Sequence, residues 1–445
     1  MAKILFIGQS TRHFSYYSSS LYYLSKYGHT FHFRYDEHFS NSKLSSSLNE
    51  FLELHPSEFK WQKKRNFIYQ FYIFFFRELA TYVWYLGRID QSTYYVNRWA
   101  KLFPYPVSSI LKQSVIKEFL KLKCIKNLIF YLSKKFYSNN DIKNDILSIS
   151  PDVIYASPCN LRFSSEIDYI QQAKRLKIPV VYSILSWDNL TNKGLFHVVP
   201  DLFLVWNQNH KNELEKLHNI TDIPIKIVGS QLFDKWLLSD PSLSISDEIL
   251  NVSKYPYILY LGSSSNIIDD ETEIMNVLLN ELVLINPTIK IIFKPHPFHY
   301  EKYHHLNSDK LIVLSNKFGL SETTSDIVNF KYLIEKSLFV IGINTSGFLD
   351  SIIIGKPTFA YTNHSFSETQ IKSAHYKVLR KYNVLNESNS LKKIFDSNFS
   401  TKDFDLYRNL FISQFVWPKK NKSAGEVAAN EINNFLITSK NSNFN

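Results

Sequence analysis

The chain has 445 residues, a length that corresponds to two or three domains. Its 44% hydrophobic and 20% charged residues are ordinary for a globular protein and argue against a largely disordered or collagen-like chain. The formal net charge of +11 is concentrated in one segment. Residues 60–135 hold 15 lysines and arginines against three acidic residues, a net of +12, so the remaining 369 residues sum to −1.

Cysteine content and the first residues bear on the compartment. The two cysteines, Cys124 and Cys159, are too few for a disulfide framework and form no C-x-x-C pair. Residues 1–8 contain one short apolar run without the long apolar region of a secretory signal. We therefore expect a reducing, cytoplasmic setting.

The first elements in chain order are those of a doubly wound sheet. Residues 3–8 predict a buried strand, residues 10–27 a helical segment and residues 30–35 a second strand. The intervening loop at 8–13, GQSTRH, has one glycine rather than a G-x-G-x-x-G motif. Bound NAD or FAD is therefore not expected.

Residues 50–137 interrupt this order. They predict several helices rich in Phe, Tyr, Trp, Lys and Arg, broken near Pro104 and Pro106. Within them, the candidate membrane span at 66–86 carries Arg77 and Glu78 near its middle, and its uninterrupted apolar run is far below the roughly 18 residues that a span needs. We expect a helical, basic and aromatic insertion without a transmembrane helix.

Alternation of strands and helices resumes after the insertion. The predicted strands are 152–156, 179–185, 202–206 and 225–229, then 257–262, 290–293, 311–314, 339–343 and 357–361. This pattern predicts an α/β fold of two Rossmann-like lobes facing a cleft. The expected boundaries are a first lobe at 1–240 that includes the insertion, a linker at 241–254, a second lobe at 255–422, a terminal helix at 423–437 that can pack back on the first lobe, and a disordered tail at 438–445.

Ligands of open parallel sheets lie beyond the carboxyl ends of the strands, and the strand at 290–293 is followed by Lys-Pro-His-Pro. The two prolines fix the turn and so direct the side chains of Lys294 and His296. An ammonium and an imidazole held together suit a phosphate whose charge increases as it departs. The alternatives are a rigid turn with a solvent-facing lysine, or a zinc site formed by His296, His299, His304 and His305, which lacks a cysteine or carboxylate to complete it.

Two further clusters follow strands of the second lobe. Gly262, Ser263 and Ser264 can bring backbone N–H groups and hydroxyls to phosphate oxygens, or simply form a loop. The second cluster starts a helix whose free N–H groups and dipole favour an anion, and helix capping is the structural alternative. It consists of Thr345, Ser346 and Gly347. All of these clusters predict the same ligand type, a phosphate.

The order of these motifs, with G-K-P at 355–357 before the next strand, resembles the C-terminal lobe of GT-B glycosyltransferases. The similarity is to the bacterial surface-polysaccharide group: capsule Kdo transferases, GT-B sialyltransferases and CDP-glycerol glycerophosphotransferases. The motifs span residues 255–361, and the two-lobe layout spans the chain. The resemblance implies that the phosphate of a cytidine-activated donor is held by Lys294, His296, Thr345 and Ser346.

A fourth cluster, S-W-D-N at 186–189, lies in the first lobe after the strand at 179–185. Asp188 can accept the proton of an attacking hydroxyl as the base of an inverting transfer, or a carboxylate there can stabilise an oxocarbenium-like centre in a retaining one. An Asx turn or helix cap with Trp187 in the core is the structural alternative. The segment is similar to a motif of uncharacterised members of the same superfamily, which identifies no substrate. His13 is the alternative base, unless it is a surface or structural histidine.

The predicted catalytic residues are therefore Asp188, His13 and His296. Asp269 and Asp270 fit the start of a helix, and no D-x-D pair follows a strand, so neither a metal nor a cofactor is expected. Asp234 has the alternative of capping the helix around Trp236. The residues predicted to contact substrate are Gln9, Trp187, Asn189, Gln231 and Asp234.

Residues 60–135 predict a docking surface for an anionic membrane, because amphipathic helices with aromatic and basic faces lie in anionic lipid interfaces. Nucleic acid is the rival partner, but no RNP, KH or zinc-finger pattern accompanies the segment. Packing of the aromatics inside the lobe, with solvated charges, is the structural alternative. With a membrane partner, the protein is expected at the inner face of the membrane as a peripheral protein.

These features together predict a metal-independent GT-B glycosyltransferase of cell-surface polysaccharide biosynthesis. It would move a sugar from a nucleotide-activated donor, with CMP-linked sugars as one option, to a saccharide or lipid-linked acceptor. Three alternatives stay open: transfer of a polyol phosphate from a CDP-polyol, epimerisation of a UDP-hexosamine at C2, and noncatalytic binding of a nucleotide or polyanion.

Overall fold

A computed structural model gives the fold of the chain. It describes residues 1–37, 46–55, 57–64, 67–88, 93–134, 139–237, 244–265, 267–297, 299–315, 323–363, 370, 374–397, 401–419 and 422–442. Contacts divide the chain into two compact units. The first unit comprises 1–44, 48–232 and 417–445, and the second comprises 45–47 and 233–416.

The first unit contains a seven-stranded sheet in the order β3-β2-β1-β4-β5-β6-β7, with every neighbouring pair parallel. Its strands are rich in Val, Ile, Leu and aromatics, and β4, β5 and β6 are buried at every residue, as expected when both faces are covered. The strands are β1 (Lys3–Gly8), β2 (Thr30–Tyr35), β3 (Glu58–Trp61), β4 (Val153–Ala156), β5 (Val180–Ser183), β6 (Leu202–Val205) and β7 (Ile225–Ile227).

The helices of the first unit include a group of five, α4–α8, which forms the insertion. All helices of the unit are α1 (Thr11–Ser15), α2 (Ser18–Lys26), α3 (Ser46–Leu54), α4 (Phe67–Leu86), α5 (Thr93–Ala100), α6 (Tyr105–Lys112), α7 (Ser114–Lys121), α8 (Lys123–Lys134), α9 (Asn140–Ile149), α10 (Glu166–Arg175), α11 (Asn189–Asn192), α12 (Gln208–His218) and α21 (Ala424–Ser442).

Aromatic residues fill much of the core of the first unit. The ring of Phe6 stacks on Tyr155 at 4.5 Å between centroids and meets Phe14 edge-on at 4.9 Å. The hydroxyl of Tyr17 forms a hydrogen bond of 2.5 Å with the hydroxyl of Ser157, so its polar end is paired inside the core. A large part of the aromatic residues, which make up 16% of the chain, therefore serves packing.

The insertion has its own core around the second half of α4. Trp84 and Tyr85 are buried there and donate hydrogen bonds of 2.7 Å and 2.8 Å to the carbonyls of Leu217 and Lys193, which join the insertion to the rest of the unit. Arg77, also on α4, is buried and donates to Asp168 at 2.6 Å. Within the described ranges, no helix is long and apolar enough to cross a membrane.

The second unit contains a six-stranded parallel sheet in the order β10-β9-β8-β11-β12-β13. Its strands are β8 (Tyr257–Leu261), β9 (Lys290–Lys294), β10 (Leu311–Val313), β11 (Val340–Gly342), β12 (Thr358–Tyr361) and β13 (Asn386–Ser388). Its helices are α13 (Asp247–Val252), α14 (Thr272–Ile285), α15 (Tyr300–Tyr303), α16 (Thr324–Lys336), α17 (Gly347–Ile354), α18 (Ala374–Lys381), α19 (Leu391–Asp396) and α20 (Thr401–Phe411).

Two Rossmann-like sheets with helices confirm the predicted α/β class. The edge strands β3 and β13 were not predicted, because they are only four and three residues long and are specified mainly by pairing with their neighbours. Helix α13 lies inside the segment expected to be a linker, whose residues 241–243 are outside the described ones. The predicted helical insertion contains β3 near its start, and its residues 135–137 also lie outside the described ones.

The terminal helix α21 returns to the first unit and packs on α2. Ala428, Ile432 and Leu436 recur on one face of α21 and are buried with Leu21 and Leu24. The helix continues to Ser442, so residues 438–442, expected in a disordered tail, are helical; residues 443–445 are outside the described ones.

Candidate functional site

The three predicted phosphate clusters meet at one edge of the second unit's sheet. Strands β9, β8 and β11 are parallel neighbours, so the loops after them leave the same edge. The N–H of Gly262 donates to the carbonyl of Lys294 at 2.9 Å, and the N–H of Asn344 donates to the hydroxyl of Ser263 at 3.2 Å. Three segments distant in sequence are thus joined by direct hydrogen bonds.

Gly262 makes this approach possible. A Cβ at this position would lie 2.7 Å from the backbone nitrogen of His296 and 3.0 Å from the Cα of Pro295. Both distances are below any ordinary van der Waals contact, and the obstructing atoms belong to a proline-fixed backbone. The glycine is therefore required for the two loops to touch.

Glu271, which was not predicted as part of the site, holds the loop after β8. Its side chain is fully buried and accepts from the hydroxyl of Tyr260 at 2.9 Å and from the N–H of Ser263 at 3.2 Å. Burial raises the pKa of Glu271 to about 7, against the opposing effect of these hydrogen bonds. In the sequence it is one acidic residue of a run before a helix, which gives no sign of this contact.

The hydrogen bonds around Ser263 give that residue a structural role. Its N–H donates to Glu271, and its hydroxyl oxygen accepts from the N–H of Asn344. Ser263 therefore links the two loops, and its hydroxyl hydrogen is not used in either bond. Ser264 is half-buried and its carbonyl accepts from the N–H of Ile267, so of the two serines its side chain is the more accessible.

His296 is half-buried at the same edge. Burial is the largest cause that lowers its pKa to about 4, and the charges of His299 and Lys294 add to it. The ring is therefore neutral at pH 7 and does not supply the positive charge expected from the sequence. A neutral imidazole still offers one N–H donor and one acceptor to a ligand.

Lys294 lies beside helices α16 and α17. Its ammonium is 5.1 Å from the centroid of the Phe330 ring. Burial lowers its pKa to about 8, opposed by the carboxylate of Asp350 and assisted by the charge of Lys235. Asp350 also accepts from Trp236 at 2.8 Å. The lysine stays largely protonated at pH 7, within a cluster of mixed charge.

Helix α17 begins at the third cluster. Ser346 is exposed and occupies the N-cap position with helical backbone angles, φ −63° and ψ −21°, and its side chain makes no capping bond. The predicted cap at Ser346 is therefore wrong, because an N-cap side chain reaches the helix N–H groups from an extended backbone. Thr345 instead accepts from the N–H of Gly347 at 3.4 Å.

In the first unit, the S-W-D-N segment forms a turn that opens the short helix α11. Asp188 accepts from the hydroxyl of Ser186 at 2.6 Å and from the side chain of Asn192 at 3.2 Å, and the ammonium of Lys193 is 3.6 Å from it. Its side chain is 18% exposed, so it keeps a path to solvent. Asp188 occupies the N-cap position of α11, but its side chain makes no capping bond, so the side-chain cap expected as the structural alternative is not formed and the carboxylate stays partly open.

Asn189 and Trp187 are held by protein contacts. Asn189 is fully buried and donates to the side chain of Asn160 at 2.8 Å, while Asn160 donates back to the Asn189 carbonyl at 2.9 Å. The position predicted to bind substrate is thus occupied by a structural amide pair. Trp187 is half-buried, and its carbonyl is 3.2 Å from the ring of His210.

Four further residues were predicted as part of the site. Gln9 is buried and donates to the carbonyl of Arg162 at 3.1 Å, and Gln231 is buried and donates to the hydroxyl of Tyr155 at 3.3 Å. Asp234 is buried and belongs to the second unit. Burial lowers the pKa of His13 to about 4, with the charge of Arg12 adding to it, so this imidazole is neutral and a weak base at pH 7.

Two carboxyl groups that were not predicted are buried near the loop after β4. Glu78 accepts from the N–H of Phe163 at 3.0 Å, and Glu166 is fully buried at the start of α10. Burial raises the pKa of each to about 7. Across the described residues, no group of three or more His, Cys, Asp or Glu is arranged to hold a metal ion. Neither glutamate could be predicted from a motif, because each lies within a sequence typical of an ordinary helix.

A groove of about 350 Å³ in the first unit lies away from these loops. Its lining includes Pro179 and Asp201, which precede β5 and β6, so it is at the amino edge of the sheet. The ion pair of Lys174 with Asp201, at 2.5 Å, closes part of it. It is therefore unrelated to the strand-end loops considered above.

No protein family matches the chain, and no curated protein sequence matches it significantly. Solved structures do match. The S. aureus MnaA–UDP co-structure has a TM-score of 0.56 at 12% identity, covering 98% of this chain and 97% of that one. UDP-GlcNAc 2-epimerase from Neisseria meningitidis bound to UDP-GlcNAc gives 0.52 at 12%, covering 98% and 100%. CalG4, the calicheamicin glycosyltransferase, gives 0.53 at 10%, covering 98% of each.

At such identities the likeness establishes the fold. The chain has the GT-B fold, with two Rossmann-like units, in common with glycosyltransferases and UDP-GlcNAc 2-epimerases. The similarity to Kdo transferases, sialyltransferases and glycerophosphotransferases stays a prediction from motifs.

Proposed function

We propose that this protein is a nucleotide-sugar enzyme that binds the diphosphate or phosphate of its donor at the edge formed by the loops after β8, β9 and β11. The observation that carries the proposal is that these loops are joined by hydrogen bonds, Gly262 to Lys294 and Asn344 to Ser263. They lie in the second unit of a chain with the GT-B fold. The carboxyl edge of a parallel sheet is where such folds take ligands.

The chemistry of the edge suits phosphate. His296 would donate one N–H to a phosphate oxygen, and the negative charge of the phosphate would raise the pKa of the ring from about 4. Thr345 and the exposed Ser346 would add hydroxyls at the start of α17. Lys294 would contribute positive charge at longer range. As charge grows on the leaving phosphate, these donors bind it more strongly, which lowers the barrier to its departure.

The leading activity is transfer of the sugar to a saccharide or lipid-linked acceptor, metal-independent, as the motifs K-P-H-P and T-S-G suggest. A CMP-linked donor remains an option from the same motifs. Asp188 is the proposed base, because its carboxylate is partly exposed, and His13 is the alternative, because its neutral ring can accept a proton.

Epimerisation of a UDP-hexosamine is a second candidate, supported by the structural matches to UDP-GlcNAc 2-epimerases. Transfer requires an acceptor, whereas epimerisation changes the sugar alone. Incubation with UDP-GlcNAc in the absence of acceptor, followed by NMR of the sugar protons, separates the two. Conversion without acceptor supports the epimerase and contradicts the transferase.

Calorimetric titration with CMP, CDP, UDP and GDP tests the shared basis of both activities. Selective CMP binding supports an ulosonic-acid donor, selective CDP binding supports polyol-phosphate transfer, and UDP binding supports a UDP-sugar. His296→Ala should abolish turnover with the fold preserved, whereas a noncatalytic binding protein would have no turnover to lose. Failure of every nucleotide to bind would contradict the proposal.

A further inference from the structure

Helix α7 exposes an apolar stripe. Val115, Phe119 and Leu122 are 75%, 49% and 50% exposed, and their spacing places them on one face that runs from the first turn of the helix to its C-cap. Ile116 and Leu120 lie on the adjacent face and pack with α4 and α5. The apolar sector of α7 is therefore wider than its packing inside the protein requires.

The helices on either side extend this exposure. Ile110 of α6 is 49% exposed and Leu128 of α8 is 52% exposed. Helices α6, α7 and α8 follow one another with breaks of a single residue, at Gln113 and Leu122, and neighbouring helices of the three pack together. We call the exposed side chains of Ile110, Val115, Phe119, Leu122 and Leu128 the apolar face.

Positive charge surrounds the apolar face. Residues 105–134 contain six lysines and one acidic residue, Glu118. Lys112, Lys121 and Lys123 are exposed, and Lys121 pairs with Glu118 at 2.8 Å, which offsets the single negative charge. Long lysine side chains beside exposed apolar groups can keep their ammonium groups at the level of lipid phosphates while the apolar groups go deeper.

The structure also shows which part of the basic segment is free to do this. The second half of α4 and helix α5 form the buried core of the insertion, with Tyr82, Trp84 and Trp99 inside it. Those aromatics serve packing, whereas α6–α8 present apolar and basic groups outward. The first half of α4 also exposes Ile68, Tyr69, Phe71 and Tyr72, so the buried part of the 60–135 segment is the second half of α4 with α5.

We propose that the apolar face of α6–α8 docks on an anionic lipid bilayer, with Val115, Phe119 and Leu122 at the boundary of headgroups and acyl chains. Charge complementarity selects this partner, because lysines around an aliphatic stripe fit anionic headgroups over an apolar layer. Binding of single-stranded nucleic acid relies on ring stacking, whereas four of the five side chains of the apolar face are aliphatic; Tyr105 and Tyr131 on the same helices are also exposed. The docking proposal rests on the proposed function in one respect only: docking would bring the enzyme to a lipid-linked acceptor at the membrane.

Vesicle co-sedimentation of the full chain tests this surface without any nucleotide. Vesicles of equal parts phosphatidylglycerol and phosphatidylcholine are compared with pure phosphatidylcholine. A stripe variant carries Val115→Ser, Phe119→Ser and Leu122→Ser, and its control carries Val283→Ser, Leu284→Ser and Leu406→Ser, at exposed apolar positions of the second unit. A lysine variant replaces Lys112, Lys121 and Lys123 by Ser, and its control replaces Lys377, Lys381 and Lys392 by Ser, exposed lysines of the second unit.

The wild-type chain should bind the anionic vesicles and not the neutral ones. The lysine variant should bind about fivefold more weakly per lysine, on the order of a hundredfold in all. The stripe variant should bind more than about tenfold more weakly. Both controls should bind like wild type. Raising salt from about 0.1 M to about 1 M shortens the Debye length from about 10 Å to about 3 Å and should release most of the protein.

Several outcomes would overturn the proposal. These are no binding to anionic vesicles, equal binding to neutral vesicles, or binding that survives the serine replacements in α7. A wild-type dimer that becomes monomeric in the stripe variant, without vesicle binding, would identify the face as a contact between two copies. Circular dichroism of each variant verifies folding. Nucleotide titration of the same proteins is a separate readout, so a protein that binds nucleotide but no lipid contradicts only the docking proposal.

Discussion

Glu271→Gln is the substitution whose effect follows most directly from the site. The side chain keeps its shape, and the negative charge is removed. In the wild-type chain the buried carboxyl faces the hydroxyl of Tyr260 and the N–H of Ser263. Glutamine presents one acceptor and one donor group, as a protonated glutamate does, so the two proteins should have similar stability in acid.

The expected difference appears as the pH rises. Burial moves the pKa of Glu271 from its ordinary value of 4.5 to about 7 in the folded chain. The unfolded chain therefore releases the proton first, and the free energy of unfolding of the wild type falls by about 3 kcal/mol as the pH rises through this interval. The stability that the protonated Glu271 contributes is fully present below its ordinary pKa of 4.5 and is lost above its raised pKa of about 7. Glutamine has no proton to lose, so the variant should gain about 3 kcal/mol relative to wild type.

Urea unfolding followed by far-UV circular dichroism, from about pH 5 to about pH 8, measures this difference. Glu273→Gln is the matched control, because Glu273 is exposed on the same helix and loses the same formal charge. Its difference from wild type should stay flat. If the Glu271→Gln difference is also flat across the pH range, the carboxyl is not held protonated by burial and the reasoning is refuted.

Three other predictions concern single positions. Gly262→Ala should weaken nucleotide binding more than about tenfold and destabilise the chain by about 1–3 kcal/mol, since its Cβ would lie 2.7 Å from the backbone nitrogen of His296; calorimetry and urea unfolding measure the two effects, and unchanged affinity would contradict the loop contact. The ring protons of His296 should titrate by NMR with a midpoint at about 4, moving upward when a nucleotide is bound; a midpoint at the ordinary value would contradict its burial. Arg77→Met should cost about 3–5 kcal/mol by removing the cation that pairs with the buried carboxylate of Asp168, whereas the exposed Arg175→Met should cost little; equal losses in urea unfolding would show that the pair is not buried in solution.

Much of the sheet was predictable from local pattern. The strands β1, β8 and β9 are largely continuous apolar runs, which is the pattern typical of parallel strands buried on both faces. Strands β3 and β13 were missed, because segments of only four and three residues become strands only beside a neighbour that supplies hydrogen bonds.

The candidate site divides in a similar way. The position of Lys294, His296 and Thr345 at one edge of the sheet was predictable, because the motifs that contain them directly follow apolar strands. Their charge states were not predictable, since burial gives His296 a neutral ring and lowers the pKa of Lys294 to about 8. Glu271 was missed because its partners, Tyr260 and Ser263, reach it only in the folded unit.

The concentration of positive charge in residues 60–135 is a property of the sequence alone, as are the two sets of alternating strands and the strand-end motifs. The order of the residues and the chemistry of their side chains are enough to identify these features, because the periodicity of apolar residues is a local property of the sequence. Tertiary structure decided which aromatics are core and which face outward on α6–α8, and which glutamates are buried. Burial depends on contacts between distant segments, and desolvation sets both the pKa values and the exposed faces.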